Sequence, residues 1–209
     1  MRVFAAMGGM MTARAVRFAP DGNDAERLLA CQNDDELMQV VEEIEERWGL
    51  ERLCELNKSW DALHRCFTDG DLVFDNGDFP LAHVPLGGVP LHEGADYSVC
   101  CVTVEQVRDV AAALEPLGGQ WLRDRFATLT FDAYQGTGDT EDIAYTQAFL
   151  PGLKNFYRTA AQNSQAAIFT VDQQTGAGSS RPRLRPELTP AWPPAGVTRD
   201  RKSGATSSG

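Results

Sequence analysis

The chain has 209 residues, of which 43% are hydrophobic, and a formal net charge of −11. A chain of this length buries one core, or one core with a small annex. It contains no apolar run of about 18 residues, so we expect no membrane-spanning helix. Residues 11–171 hold 27 acidic and 12 basic residues, a formal charge of −15. Because this charge repels phosphate backbones, we expect no nucleic-acid binding, whereas a basic protein partner is permitted.

Cysteine usage indicates a reducing compartment. The sequence has no Cys-x-x-Cys pair, and neither Cys54 nor Cys66 has a metal-ligand spacing to any of the three histidines. Adjacent Cys100 and Cys101 are poorly placed to bridge each other. We therefore expect reduced thiols, a cytoplasmic location, and neither a metal nor a cofactor. Residues 1–10 are predicted to be a disordered segment or a misassigned start.

The first predicted elements are a strand and two helices. Residues 12–18 alternate small or polar residues with apolar ones, which is typical of a strand. Asn23 or Asp24 can cap a short helix, and Asn33 with Glu36 three positions later is predicted to begin a longer one. The longer helix places an apolar stripe opposite an acidic run: Leu37, Val40, Val41, Ile44 and Trp48 against Glu42, Glu43, Glu45 and Glu46. That acidic run is either a solvated face or a docking surface.

One further amphipathic helix carries both the densest packing signal and the main candidate for chemistry. Trp60, Leu63, His64 and Phe67 follow the helical spacing i, i+3, i+4, i+7. Asp61 precedes His64 by three positions, close enough on a helix for its carboxylate to orient the imidazole and raise its pKa. Such a pair could serve as a general acid and base. The alternative is structural: His64 packs against Trp60 and hydrogen-bonds a backbone carbonyl.

The segment 69–96, which follows that helix, is rich in glycine, aspartate and proline and is interpreted as an ordered loop. A nucleophile is missing close to His64 in the sequence, so any third catalytic partner would have to come from this loop. Its candidates are His83, His92 and Asp96. With Trp60, these three residues form the predicted ligand-binding set, and no metal site is assigned to them.

The second half of the chain is predicted to contain two strands and several helices. Strands are expected at residues 97–103 and 166–171, and helices after Thr103, at residues 121–126 and from Asp139 onwards. Thr103 and Gln106 form a capping box. The last helical region is expected to break or bend at Pro151 and Gly152. Together these patterns predict an α+β fold, with one small domain at residues 11–171 and a disordered tail at 172–209. The predicted sheet is few-stranded, mixed or antiparallel, and packed with several α-helices.

The order of these motifs resembles a known family. The resemblance rests on Trp60-Asp61-x-Leu63-His64 with Thr68 and Gly70, Pro80-Leu81 with Leu86-Gly87-Gly88-x-Pro90-Leu91, the strand-to-helix step into Val104–Leu114, Leu122-Arg123 with Phe126, and Leu153-x-x-Phe156-Tyr157-Arg158-x-Ala160-Ala161. These motifs resemble those of the YfbM-like family, domain of unknown function DUF1877. The resemblance implies a small α+β domain and no established activity. The family usually has Ile-Tyr-Pro where this chain has Ala133-Tyr134-Gln135, so that loop is expected to differ.

Two classes of function remain open from the sequence. The first is a non-catalytic cytosolic binding domain whose acidic surface or loop 69–96 engages a protein partner, with an immunity-type or stress-associated role by analogy. The second is a small hydrolase or transferase that uses His64 with Asp61 as an acid/base pair. The second class requires His64 to open onto a pocket that holds further polar groups.

Overall fold

The computed structural model describes residues 14–47, 49, 52–74, 76–93, 97–130, 134 and 136–172. All of these residues lie in the compact unit that spans residues 1–178. Several sequence predictions fall outside the described residues, and they stay predictions: the disordered or misassigned start at 1–10, the tail from residue 173 onwards, Trp48 and Asp96.

The described residues contain five strands and six α-helices, which are interspersed along the chain. The strands are β1 Arg14–Phe18, β2 Leu53–Asn57, β3 Val89–Glu93, β4 Tyr97–Val102 and β5 Ala167–Asp172. The helices are α1 Gly22–Ala30, α2 Asp34–Glu46, α3 Ser59–Phe67, α4 Val104–Leu114, α5 Gly119–Phe126 and α6 Thr140–Gln162. A short 3-10 turn, Leu81–His83, lies in the loop between α3 and β3.

The five strands form one antiparallel sheet in the order β2-β1-β5-β4-β3. The last described strand, β5, is the central one, with β1 on one side and β4 on the other. The sheet is therefore complete only when β5 lies between strands that precede it by about 65 residues or more in the chain. The predicted α+β class is confirmed, and of the two sheet types that the sequence left open the structure has the antiparallel one.

Side-chain alternation along the strands gives the sheet two buried faces. Phe169 on β5 pairs with Cys100 on β4, and both belong to the large core beneath α3, α4, α5 and α6. Their neighbour Ile168 pairs with Phe18 and Cys101, and these three point to the other face. All five side chains are at most 2% exposed, so both faces are covered by helices.

The second face is covered by α1 and α2. Leu28 of α1 and Leu37 and Ile44 of α2 are at most 2% exposed, although none of them belongs to the large core beneath the other helices. A direct contact between the sheet and α2 shows which face this helix covers: His92 Nδ1 on β3 lies 3.0 Å from Asp34 Oδ1 at the start of α2. The sheet thus separates an α1–α2 layer from the layer formed by α3 to α6.

Helix starts follow the capping chemistry that the sequence predicts at two of three positions. Asn33 accepts from the backbone N–H of Glu36 over 2.9 Å, and Thr103 and Gln106 complete a capping box. The predicted cap of α1 is wrong, because Asp21 caps this helix through the N–H of Asp24. Asp21, Asn23 and Asp24 are all residue types that cap helices, so the sequence did not show which of them begins α1.

Two predictions about the elements themselves are corrected. The segment 69–96 is not all loop, since it contains β3, and β2 was missed as a strand. Both are edge strands, and β3 includes Pro90, which edge strands tolerate because they need fewer backbone donors. Of the predicted break or bend at Pro151 and Gly152, the break is wrong, because α6 continues through both residues to Gln162, and the bend stays a prediction.

Two further findings concern membrane-spanning helices and the cysteines. Within the described residues, no helix combines the length and apolarity that a membrane crossing requires. All five cysteines are free thiols, and Cys54, Cys66, Cys100 and Cys101 are buried. Burial raises the pKa of the Cys54, Cys66 and Cys101 thiols to about 12, so these groups stay protonated near neutral pH.

Candidate functional site

His64 is sealed inside the core. Its side chain has no solvent exposure, and its Nε2 lies 3.0 Å from the carbonyl oxygen of Val73. Because a carbonyl oxygen only accepts, we assign the proton to Nε2 and treat the ring as neutral. Burial lowers the pKa of His64 from its ordinary 6.5 to about 4, against the opposing effect of the Val73 hydrogen bond. A ring with no access to solvent has no route for exchanging a proton with a substrate.

Asp61 pairs with an arginine and not with the histidine. Arg65 Nε donates to Asp61 Oδ1 over 2.6 Å, one helical turn along α3. Arg65 Nη1 donates to the carbonyl oxygen of Gly70 over 3.0 Å. Burial raises the pKa of Asp61, and the neighbouring guanidinium opposes that rise. Between these described side chains the predicted Asp61–His64 pair does not form, because a cation satisfies a buried carboxylate better than a neutral ring does.

The Asp61–Arg65 pair extends into a polar cluster that joins α3 to the first turn of α6. The guanidinium carbon of Arg65 lies 5.6 Å from the ring centre of Tyr134. The Tyr134 hydroxyl donates to Asp142 Oδ1 over 3.0 Å, and Asp142 Oδ2 accepts from the backbone N–H of Gly138. Burial is the main cause that raises the pKa of Tyr134, and its bond to Asp142 adds to it. Each group in this cluster is occupied by another, so its evident role is to hold α3 and α6 together.

Sequence reasoning missed three members of this cluster. Arg65 was visible as the i+4 partner of Asp61, a spacing at which opposite charges meet on a helix. Tyr134 and Asp142 come from other parts of the chain, and no local pattern connects them with α3. The sequence therefore contained a signal for the Asp61–Arg65 pair and none for the rest of the cluster.

The predicted ligand-binding residues do not converge. Trp60 is 5% exposed and packs in the large core, with its ring centre 5.9 Å from that of Phe169. The His83 ring meets Phe79 edge-on at 5.0 Å, in the loop before β3. His92 lies on the other face of the sheet against α2. Asp96, the fourth member of the set, is outside the described residues. These positions belong to different layers and do not form one site.

Arg17 is a buried cation that the sequence pattern did not reveal. Its side chain has no solvent exposure, and its Nη2 donates to the carbonyl oxygens of His83 at 3.1 Å and Pro85 at 2.7 Å. Its guanidinium carbon lies 5.1 Å from the Tyr157 ring centre and 5.4 Å from that of Phe169. In the part of the chain that the structure describes, Nε and Nη1 have no hydrogen-bond partner. Through these hydrogen bonds Arg17 holds the loop before β3 against the sheet.

The described residues do not form a metal site. No group of three or more histidine, cysteine, aspartate or glutamate side chains in this part of the chain is arranged to hold an ion. Burial raises the pKa of the Cys54, Cys66, Cys100 and Cys101 thiols, and the opposing charge of Arg17 or Arg125 does not offset it, so these groups stay protonated and are poor nucleophiles.

Comparison with known proteins identifies the family. The family described as "Domain of unknown function (DUF1877)" matches residues 7–170, more than three quarters of the chain. The chain belongs to the DUF1877 family. The resemblance to YfbM-like proteins drawn from the sequence motifs is therefore confirmed.

A solved structure resembles this DUF1877 protein in fold. It is the crystal structure of a protein of unknown function, YfbM from Escherichia coli, with a TM-score of 0.55 and 19% sequence identity. The alignment covers 76% of this chain and 99% of that chain. At this identity the likeness shows the fold alone. No curated protein matches the chain significantly.

The helices of this DUF1877 protein differ in charge between the two faces of the sheet. We call residues 21–47, which contain α1 and α2, the acidic helical pair. It has ten acidic and two basic residues, a formal charge of −8. The helices α4, α5 and α6 on the other face of the sheet contain five acidic and five basic residues, a formal charge of zero. Of these two sets of helices, only the acidic helical pair therefore carries a large negative charge.

Both basic residues of the acidic helical pair are already engaged within it. Arg27 donates to Asp24 over 3.3 Å and to Glu43 over 2.6 Å. Arg47 lies 2.9 Å from Asp24, which is buried between the two helices. The Arg27 hydrogen bond is the largest cause that lowers the pKa of Glu43. These contacts hold α1 against α2. Both arginines of the acidic helical pair are therefore already in ion pairs.

Most of the remaining acidic side chains of the acidic helical pair are exposed. These are Asp21, Glu26, Asp34, Asp35, Glu36, Glu42 and Glu46. Leu29 lies among them on α1 and is 45% exposed, one of the few large hydrophobic side chains of the described residues with so much exposure. The acidic helical pair therefore exposes a large apolar side chain as well as acidic ones.

Proposed function

We propose that this protein is a non-catalytic binding domain that engages a basic protein partner through its acidic helical pair. The observation that carries the proposal is the difference in formal charge between the acidic helical pair, −8, and the helices α4, α5 and α6, zero. An acidic surface that served solubility alone would need no such concentration on one layer, because dispersed charges give the same net repulsion. A one-sided field, by contrast, orients a charged partner as it approaches.

The contacts inside the acidic helical pair support the same proposal. Because Arg27 and Arg47 are paired with Asp24 and Glu43, the exposed carboxylates depend on cations from outside the layer. Charged groups at an interface chiefly set its orientation and association rate, whereas apolar groups supply much of the affinity. Leu29 is exposed on α1, one helical turn after Glu26, and is available to supply an apolar contact.

The proposal includes a cytoplasmic location and, by analogy alone, an immunity-type or stress-associated role. The free state of all five cysteines supports the location, because disulfides are common in oxidising compartments. Catalysis is not part of the proposal. The hydrolase or transferase alternative needs His64 to reach a substrate, and the burial of His64 and the pairing of Asp61 with Arg65 do not favour it.

The proposal is tested by affinity capture with two matched triple variants of the full chain. The first, Asp35→Lys, Glu42→Lys and Glu46→Lys, reverses exposed charges on α2 that make no described ion pair. The control, Asp109→Lys, Glu115→Lys and Asp124→Lys, reverses three exposed charges on the other side of the sheet. Glu43 is left unchanged because its pair with Arg27 holds the layer together. Circular dichroism checks that both variants fold.

We expect the wild type and the control variant to retain the same basic protein, and the α2 variant to lose it. Retention should also fall in about 0.5 M salt, because screening shortens the reach of surface charges to a few ångströms. If the α2 variant retains the partner as well as the wild type does, or if the retained protein is insensitive to salt, the proposal is wrong.

A further inference from the structure

A cavity of about 500 Å³ lies where the end of β1, the start of α1 and the end of α6 meet. Three of its lining residues are apolar and buried: Ala19, Phe156 and Ala160 are 4%, 6% and 0% exposed. Other lining residues, such as Asp21 and Arg52, are polar and exposed. An apolar floor with a few polar groups at the rim is the usual construction of a site for a small organic molecule, and the volume is in the usual range.

Two opposite charges line this cavity without pairing with each other. In the described part of the chain, the Arg52 guanidinium takes part in no hydrogen bond or ion pair. The Asp21 carboxylate accepts one hydrogen bond, from the Asp24 backbone N–H over 3.0 Å, and has no described ion pair. Arg52 and Asp21 therefore offer a cation and an anion to one ligand. A molecule that carries both charges is the complement of such a pair.

Gln165 adds a buried acceptor to the same cavity. Only 7% of this residue is exposed, and its Nε2 donates to the carbonyl oxygen of Ala19 over 3.1 Å. Its Oε1 accepts no hydrogen bond from the described residues, and it is not among their sealed unpartnered atoms. Because Gln165 lines the cavity, the exposed remainder of its side chain faces that space. A donor on the ligand would satisfy Oε1.

We propose that this cavity binds a free α-amino acid with an apolar side chain. The ligand's carboxylate pairs with Arg52, and its ammonium group donates to Asp21 and to Gln165 Oε1. Its side chain lies on Phe156 and Ala160. The proposal goes beyond the proposed function, because it concerns a different class of ligand and a cavity that shares only Asp21 and Gly22 with the acidic helical pair. No covalent step is involved.

The test uses three probes that share the leucine side chain and differ at its charged groups: leucine, N-acetylleucine, in which an acetamide replaces the ammonium, and leucinamide, in which an amide replaces the carboxylate. Each is titrated to about 10 mM into the ¹⁵N-labelled full chain, a range that detects millimolar affinity. We expect leucine to shift the backbone amide resonances of Gly22, Asn163, Ser164 and Gln165, which line the cavity. N-acetylleucine and leucinamide should bind more weakly than leucine.

Two variants assign the charges. Arg52→Gln should weaken leucine and N-acetylleucine at least about tenfold and leave leucinamide unchanged, because only the carboxylate contact is lost. Asp21→Asn should weaken leucine and leucinamide and leave N-acetylleucine unchanged. Asparagine caps helices as well as aspartate does, so this variant keeps the start of α1. Arg123→Gln, which removes an exposed cation from α5, is the control and should change nothing.

Three results would overturn the proposal. They are the absence of shifts at these four amides with leucine, equal binding of all three probes by the wild type, and equal losses for all three probes in both variants. None of these readings depends on a protein partner. The cavity and the acidic helical pair can therefore succeed or fail separately.

Discussion

Burial decides the chemistry of individual side chains in this protein. His64 is held neutral by the apolar core around it, with its single described hydrogen bond to Val73. Asp61 is nearly as buried, but it keeps a charged partner in Arg65. The two residues are neighbours on one helix and yet have different electrostatic environments. A histidine in this position stabilises the fold above its unfolded pKa and destabilises it below.

The pH dependence of stability follows from that position. The folded pKa of His64 is near 4 and its ordinary value is 6.5, so the unfolded chain takes up the proton first as the pH falls. The stabilisation is complete above about pH 6.5 and is lost as the pH falls towards 4. Between pH 7 and pH 5, this single group should lower the free energy of unfolding by about 2 kcal/mol.

His64→Gln isolates this contribution, because glutamine does not titrate and its amide can still donate to the Val73 carbonyl. Urea unfolding at pH 7 and pH 5 should show a smaller loss of stability in the variant than in the wild type. Equal losses in the two proteins would mean that His64 is protonated in the folded state or that it opens to solvent.

Sequence patterns locate buried polar residues poorly at this scale. Asp61 lies three positions from His64 and four from Arg65, and both spacings bring side chains together on a helix. The choice between them depends on what else is buried nearby, which is a property of the tertiary fold. Arg17 shows the same limit, since nothing in a short strand pattern tells which polar residue points inwards.

At the scale of elements, α3 is the structural centre of the larger core. All nine of its residues are buried. Its aromatic residues reach two different neighbours, Trp60 packing on Phe169 of β5 and Phe67 stacking at 5.6 Å on Trp121 of α5. The helix therefore joins the central strand to a helix that is distant in sequence.

Removal of a large side chain from α3 should strongly lower the free energy of unfolding. Trp60→Ala should lower the free energy of unfolding by about 3–5 kcal/mol, because it leaves a large cavity against Phe169. Leu29→Ala, at a residue that is 45% exposed, should change it by less than about 1 kcal/mol. Chemical denaturation of the two variants measures both values. A loss below about 1 kcal/mol for Trp60→Ala would contradict the central place of α3.

Pro151 gives a second prediction at this scale. It is exposed within the continuous helix α6, where a proline cannot donate its backbone hydrogen bond. Pro151→Ala should therefore raise the free energy of unfolding, by up to about 3 kcal/mol, and raise the melting temperature. Lys154→Ala, at a residue that donates to the Glu115 and Leu117 carbonyl oxygens, is a control that should not stabilise. Destabilisation by Pro151→Ala would show that the helix needs a proline-induced bend.

Elements with strong local chemistry could be predicted, and those that depend on partners could not. The cap at Asn33 and the box at Thr103 are local, because the donors and acceptors lie three residues apart. The edge strands β2 and β3 form only because β1 and β4 lie beside them. Continuity through Pro151 depends on the burial of the neighbouring Leu150 and Leu153, which outweighs the lost hydrogen bond.

At the scale of the whole molecule, the sheet separates two helical layers with different surfaces. The layer of α4, α5 and α6 is balanced in formal charge, whereas the acidic helical pair carries −8. The excess of acidic residues is visible in the sequence, but its restriction to one layer depends on the sheet order. The proposed function rests on that restriction, whereas the amino-acid cavity lies between α1 and α6 and shares only Asp21 and Gly22 with the acidic helical pair.

The most direct test of the proposed function is the rate of association with the partner that the affinity capture identifies. The rate constant is measured for the wild type, the α2 charge-reversal variant and the control variant, at about 50 mM and 500 mM salt. We expect the wild-type and control rates to fall at least tenfold over this range, and the variant's rate to be low at both, as electrostatic steering requires. Equal rates for the wild type and the α2 variant at low salt would contradict a partner-binding role for the acidic helical pair.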